Sequence, residues 1–166
     1  MAKVILICGK ICSGKSWYAE RLREKEKAVV LSHDELMLSL FDPLLGDKHD
    51  EIAAKASAYL YGLAAKLLDA QVSVILDWGF WTREGRKAAR AYFEERGAQS
   101  ELHYVSVTDE VWRGNIERRN ELVLRGKTGA YFVDEGLLKK LESRFEEPVS
   151  GEAEIVFENI PDEKYS

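Results

Sequence analysis

Apolar positions along this chain follow two alternating patterns. Short continuous runs at residues 3–8 (KVILIC), 28–32 (AVVLS) and 72–77 (VSVILD) each predict a strand covered on both faces. Residues 101–107 and 154–157 predict two more strands. Between the runs the pattern turns helical. Residues 16–27 carry Tyr18 and Leu22 among many charges, and residues 34–41 predict a short helix that Pro43 stops. Ile52, Ala56, Tyr59, Leu60, Leu63 and Leu67 recur on one face of a helix over residues 51–70. Thr82 reads as the N-cap of a helix that runs to about Arg96 and ends at Gly97. Asp109 is expected to cap another helix through about Leu124, with a loop at residues 126–130. Leu137, Leu141 and Phe145 mark a last helix. This order implies an α/β fold with a mostly parallel sheet and helices on both faces. Ligands of such sheets bind beyond the carboxyl ends of the strands.

A length of 166 residues fits one domain, residues 1–166. Such a chain buries roughly 70% of its unfolded surface and needs no disulfide or metal staple. With 46% apolar and 32% charged residues, disorder and low-complexity classes are excluded. The apolar run at residues 4–8 is too short to cross a bilayer. Gly9 and Lys10 interrupt it before it can act as a signal peptide, so a cytoplasmic location without a membrane partner is expected. Net charge is −5, and residues 82–121 balance eight Lys/Arg against eight Asp/Glu. A duplex-binding surface needs a surplus of cations, so nucleic acid is not expected as the main partner. Oligomeric state is left open. Cys8 and Cys12 lack the His/Cys company of a zinc site. They read as a reduced strand-filling thiol and a reduced loop passenger.

Residues 9–16 (GKICSGKS) match G-x-x-x-x-G-K-[ST] in full, between a predicted strand and a predicted helix. Such a loop wraps phosphate with backbone N–H groups, and Gly9 and Gly14 supply conformations other residues resist. The following helix aims its positive end at the same phosphates. Gly9, Ile11, Cys12, Ser13, Gly14, Lys15, Ser16 and Trp17 are therefore the candidate nucleotide-binding segment. Lys15 is placed to reach the β- and γ-phosphate oxygens, and the Ser16 hydroxyl to bind Mg²⁺.

Two aspartates stand at strand ends. Asp77 closes the third run, where a carboxylate holds Mg²⁺ or its water shell, or else caps the next turn. Asp34, in Ser32-His33-Asp34, could accept the proton of an attacking hydroxyl or simply cap the next helix. His33 reads as a packing or surface residue. After the fourth run, Arg113, Arg118 and Arg119 fall on one predicted helix. Guanidinium groups there could close over a transferring phosphoryl group, or form a solvated face with Glu117 and Glu121. Trp78 and Phe80, after Asp77, could line an acceptor pocket or cover the sheet as core.

Together, the residue 9–16 loop, Ser32-His33-Asp34, residues 76–81 (LDWGFW) and residues 116–120 (IERRN) resemble the small P-loop kinases grouped as AAA_33-type ATP-binding proteins. Relatives of that group include polynucleotide kinase, chloramphenicol phosphotransferase, gluconate kinase and zeta toxin. Residues 131–135 (YFVDE) and 145–148 (FEEP) are also similar to members of the group, so the resemblance covers about residues 3–148. It implies a P-loop NTPase three-layer α/β/α sandwich with a five-stranded parallel sheet in the order 2-3-1-4-5. It also implies an arginine-bearing helical lid over about residues 109–145 and ATP as phosphoryl donor. In polynucleotide kinase and its relatives an aspartate after the second strand is the general base, and Asp34 stands at that place. Many relatives carry an arginine four residues before the Arg-Asn pair. Asn115 occupies that position here and Arg113 is offset, so Arg119 fits the pattern better. Relatives often add a helix after the last strand, which implies a reduced adenine pocket in this chain.

The expected activity is ATP- and Mg²⁺-dependent phosphoryl transfer to a hydroxyl of a small molecule. Lys15, Asp34 and Arg118 or Arg119 would be catalytic, Ser16 and Asp77 would hold the metal, and Asp34, Trp78 and Phe80 would face the acceptor. Rival readings are a nucleotide-binding switch or NTPase without an acceptor, and a polynucleotide 5′-hydroxyl kinase.

Overall fold

The computed structural model describes residues 1–41 and 46–160. Its elements run β1 (Lys3–Cys8), α1 (Lys15–Glu26), β2 (Val29–Ser32), α2 (His33–Leu40), α3 (His49–Asp69), β3 (Val74–Gly79), α4 (Arg83–Glu94), β4 (Gln99–Val107), α5 (Asp109–Leu124), α6 (Glu135–Arg144) and β5 (Ile155–Asn159). The five strands form one sheet in the order β2-β3-β1-β4-β5, with every neighbouring pair parallel. This is the architecture and strand order expected of a P-loop NTPase. Among the described residues no helix is long and apolar enough to cross a membrane.

Alternation along the central strands sorts the core into two layers. Val4, Leu6 and Cys8 of β1, with Val74 and Leu76 of β3, pack against Ala64 and Leu68 of α3 and Ala89 and Phe93 of α4. Ile5, Ile7 and Ile75 face the other way, onto Ala19 and Leu22 of α1. Both faces are dry, which is why these strands read as unbroken apolar runs. A third, smaller cluster joins Trp112 and Ile116 of α5 to Val133, at the carboxyl end of the sheet beside Ile11 and Cys12.

Several boundaries differ from the sequence reading; β4 begins at Gln99, two residues early, and β5 runs on to Asn159, two residues beyond the expected end. β3 begins at Val74 and does not stop at Asp77 but runs through Trp78 to Gly79. Ile7 pairs with Asp77 and Cys8 with Gly79, so Trp78 is the extra residue of a bulge that re-aims the strand end. Thr108, not Asp109, caps α5: its hydroxyl accepts from the Val111 amide, and Asp109 is the first helical residue, where its charge suits the helix dipole. α6 ends at Arg144, and Phe145 lies beyond it, stacked on Tyr104. α2 ends at Leu40, and the stop assigned to Pro43 lies outside the described residues.

The first layer carries a buried cation that the sequence pattern concealed. Arg86 of α4 is 1% exposed. Its Nε donates to Glu152 at 2.5 Å, and its Nη1 donates to the carbonyls of Phe80 at 3.0 Å and Glu146 at 2.8 Å. One side chain thus fastens residues 146–152 onto the loop after β3. The opposite layer holds a polar relay. Buried His103 lies between the Tyr18 hydroxyl (2.9 Å) and Glu101 (3.1 Å), and Glu101 also accepts from Lys3. A carboxylate only accepts, so Nε2 carries the ring proton and Nδ1 accepts from Tyr18.

Burial pushes the His103 pKa below its ordinary 6.5, outweighing the opposing pull of Glu101. The folded protein thus holds the ring neutral where the unfolded chain would protonate it. The resulting stability is complete above pH 6.5 and is lost as the pH falls toward the lowered folded value. Urea midpoints measured from pH 7.5 down to 5 should fall for the wild type. His103→Gln should flatten that fall, and parallel curves would refute the assignment.

Candidate active site

The loop between β1 and α1 is pinned at both ends by the end of β3. The Gly9 amide donates to the Gly79 carbonyl at 3.1 Å, and the Ser16 hydroxyl donates to Asp77 Oδ2 at 2.8 Å. The bulge at Trp78 brings Gly79 and Asp77 to those two points together. Gly9 has no room for a side chain, because a Cβ there would sit 2.8 Å from the Val105 carbonyl oxygen and 2.7 Å from Ser13 Oγ. Gly14 lies at φ 98, in the left-handed region, and a Cβ would meet Asn159 Nδ2 at 2.7 Å. As N-cap of α1, Gly14 has no side chain to accept from the first helical amides. Cys12 takes a left-handed φ of 57 without being glycine, a conformation that costs energy and is kept by its surroundings.

Lys15 reaches back to the Lys10 carbonyl at 2.8 Å. Burial lowers its pKa, while the charges of Asp77 and then Asp34 oppose the shift. Asp77 is 7% exposed. Burial raises its pKa, and the Ser16 hydrogen bond and the Lys15 charge hold it down. The two charges are therefore mutually dependent: each makes the other's ionised form tolerable in a partly dry setting. Ser13 Oγ is buried and has no hydrogen-bond partner among the described residues. An orphaned hydroxyl inside a glycine-bracketed loop suits an oxygen-rich anion.

A cleft of about 570 Å³ opens beside Ser16 and Asp77. Its walls include Glu20 of α1, Ser32 at the end of β2 and Glu35 of α2, and Gly129 reaches it from the loop after α5. Ser32 caps α2, its hydroxyl accepting from the Glu35 amide at 3.2 Å. Asp34 is thereby relieved of capping and is exposed in the first turn of α2, with its charge felt at both Lys15 and Asp77. His33 donates from Nε2 to the Ala53 carbonyl at 3.0 Å, which ties α2 to α3.

The remaining sequence candidates divide. Arg119 reaches the loop, with Nη1 3.4 Å from Cys12 Sγ and its Nε buried and unpartnered. Arg113 and Arg118 are exposed and have no partner among the described residues. Trp17 is 53% exposed, with Arg21 over its ring and Phe157 beside it. Phe80 is 6% exposed and belongs to the first core layer, stacked on Trp78. Trp78 also stacks on Tyr61 and keeps part of its surface open. Cys12 is more than a loop passenger, since its thiol and carbonyl both take donors from α5. Cys8 is buried, with its thiol pushed up to about 11 by that burial.

Three loop contacts were missed in the sequence: Trp112, Asn115 and Asn159. The first two share a helical face with Arg119, at spacings of three and four, and that periodicity was open to reading. Asn159 had no local signal, because it lies 146 residues from its partner.

Two hard oxygen donors, the Ser16 hydroxyl and the Asp77 carboxylate, meet here. Among the described residues no group of three His, Cys, Asp or Glu could hold a metal ion. That donor set fits Mg²⁺, which keeps several waters and is held by one or two protein oxygens plus substrate phosphates.

A family model described as an AAA domain matches residues 4–148. Comparison with curated proteins yields no match. Among solved structures, Kti12 of Chaetomium thermophilum in complex with ADP-AlF3 is 21% identical, covers 97% of this chain and 92% of its own, and has a TM-score of 0.69. The APS kinase CysC of Mycobacterium tuberculosis, in complex with AMPPNP and APS, is 22% identical over 97% and 89%, with a TM-score of 0.66. A gluconokinase from Sinorhizobium meliloti 1021 is 15% identical over 95% and 82%, with a TM-score of 0.60. These likenesses establish the shared fold.

Gly9→Ala should cost about 1–3 kcal/mol of stability, as overpacking against a fixed backbone carbonyl does. Urea unfolding measures it. An unchanged midpoint would show that the loop yields where the contacts with Val105 and Ser13 say it cannot.

Proposed function

The chain belongs to the AAA_33 family, and from that premise we propose that it is an ATP- and Mg²⁺-dependent phosphotransferase acting on a hydroxyl of a small molecule. The observation that carries this reading is Asp34. A helix of this kind needs a cap, and Ser32 provides it. That leaves a carboxylate exposed between two residues of the cleft wall, Ser32 and Glu35, and within electrostatic reach of Lys15 and Asp77. Transfer to a hydroxyl calls for a proton acceptor and nucleotide binding alone does not, so Asp34 is the residue on which the two readings part.

The roles follow from the positions. The loop amides and Lys15 take the β- and γ-phosphates. Ser16 and Asp77 are the residues that would hold Mg²⁺, which supplies charge neutralisation on the phosphate oxygens when bound. Asp34 accepts the proton of the attacking hydroxyl. Arg119 is the lid arginine best placed for the developing charge, since one of its donors is buried without a partner and another rests on a thiol, a weak acceptor. Trp78 offers the acceptor an apolar wall, whereas Phe80 acts as its support from the core. Phosphoryl transfer asks for positioning and electrostatics more than covalent chemistry, and these residues supply both. The protein's acidic balance and the small cleft favour a small acceptor over a polynucleotide.

Asp34→Asn tests the reading. ADP release should be followed over a panel of hydroxyl compounds, 5′-hydroxyl oligonucleotides included, beside calorimetric ATP binding. Transfer to the accepted compound should fall by about 10²- to 10⁴-fold, the usual worth of a general base, with ATP affinity nearly unchanged. Equal, slow, acceptor-independent hydrolysis in wild type and variant would favour an NTPase switch. Saturation by oligonucleotides alone would favour the polynucleotide reading.

A further inference from the structure

Four consecutive carbonyl oxygens of the loop before α1 are each held by a side chain. Lys10 O accepts from Lys15 Nζ at 2.8 Å. Ile11 O accepts from Trp112 Nε1 at 2.7 Å, Cys12 O from Asn115 Nδ2 at 2.9 Å, and Ser13 O from Asn159 Nδ2 at 3.0 Å. The donors come from α1, α5 and β5, and the last three lie 101, 103 and 146 residues away from their acceptors. None belongs to the glycine-lysine motif except Lys15.

A trans peptide is planar, and its C=O and N–H point in opposite directions. Holding the carbonyls of Lys10, Ile11 and Ser13 therefore sets the amides of Ile11, Cys12 and Gly14. Those three loop amides have no acceptor among the described residues. The remaining peptide behaves differently: Asn115 holds the Cys12 carbonyl, and the Ser13 amide on its other side closes onto Lys10 O at 3.2 Å. Unpaired backbone amides are costly and are kept where an anion is to take them. Cys12, at φ 57, is the strained link of the loop, and Asn115 and Arg119 both hold it.

We infer that Trp112, Asn115 and Asn159 are positioning residues for phosphate binding: Trp112 and Asn159 grip the carbonyls that set the Cys12 and Gly14 amides as preset donors for a polyphosphate, and Asn115 holds the strained Cys12 link between them. This rests on the reading of the loop as the seat of a nucleoside triphosphate. Preorganisation of this kind raises affinity by removing the ordering cost that a slack loop would pay on binding. The turn bearing Trp112 and Asn115 is part of the loop's wall, and Arg119, one turn further on, extends that wall to the Cys12 thiol.

The test is calorimetry with Mg-ATP and with Mg-tripolyphosphate, which has no base, on wild type, Trp112→Phe, Asn115→Leu, Asn159→Leu and Asn159→Gln. Trp112→Phe keeps an aromatic ring in the core cluster but removes part of the indole with its N–H, so Asn159→Leu and Asn159→Gln are the variants that stay informative if Trp112→Phe or Asn115→Leu does not fold. Trp112→Phe and Asn159→Leu should weaken both ligands by about 3- to 10-fold, as loss of one hydrogen bond implies. Their unliganded thermal midpoints should stay within a few degrees of wild type, and Asn159→Gln, which retains a donor, should recover part of the loss. Tripolyphosphate binding at wild-type strength in these variants overturns the inference, as does a loss that Asn159→Gln fails to recover. Absence of any ATP or tripolyphosphate binding by the wild type would bring down the binding reading itself, and this inference with it.

Discussion

The end of β3 fastens both ends of the loop that follows β1, and the site is built around that fact. The Gly79 carbonyl takes the Gly9 amide, and Asp77 takes the Ser16 hydroxyl. The arrangement requires β3 to lie directly beside β1, which the sheet order provides. It also requires a bulge at Trp78, since an unbroken register would not pair Cys8 with Gly79. The price is a buried carboxylate beside a half-buried lysine, each with its pKa displaced by desolvation and drawn back by the other. A charged pair of this kind stays ionised only while the loop keeps its shape, so the fold and the electrostatics of the site stand or fall together.

Much of this was legible in the residues. The strands showed as apolar runs because helices cover both faces of the sheet. Gly9, Gly14, Lys15 and Ser16 announced their loop because few other residue types fit there. Thr82 was recognisable as a cap from its chemistry alone, and its hydroxyl does accept from Gly85. The order of the strands came from resemblance, as hydrophobic periodicity does not encode which strands are neighbours.

What escaped depended on distance or on competition between equal candidates. Thr108 and Asp109 are both good caps, and only backbone geometry chose between them. Asp77 and Gly79 look like strand terminators, so a strand running through both with a bulge was read as ending early. Arg86 shares a helix face with Ala89 and Phe93, and a cation there reads as solvated until Glu152 arrives from 66 residues away. The same holds for the loop's grips. Trp112 and Asn115 sit in a helix read for its arginines, yet the arginine that reaches the loop, Arg119, does so on the face those two residues define.

Asn159 lies in the strand at the far edge of the sheet, yet its amide group touches the loop that leaves the first strand. During translation the loop residues emerge long before β5 does. A nascent chain therefore makes another 146 residues after Ser13 before it holds the partner for that residue's carbonyl. The final shape of the turn and the completion of the sheet are thus drawn to the same moment, when β5 docks beside β4.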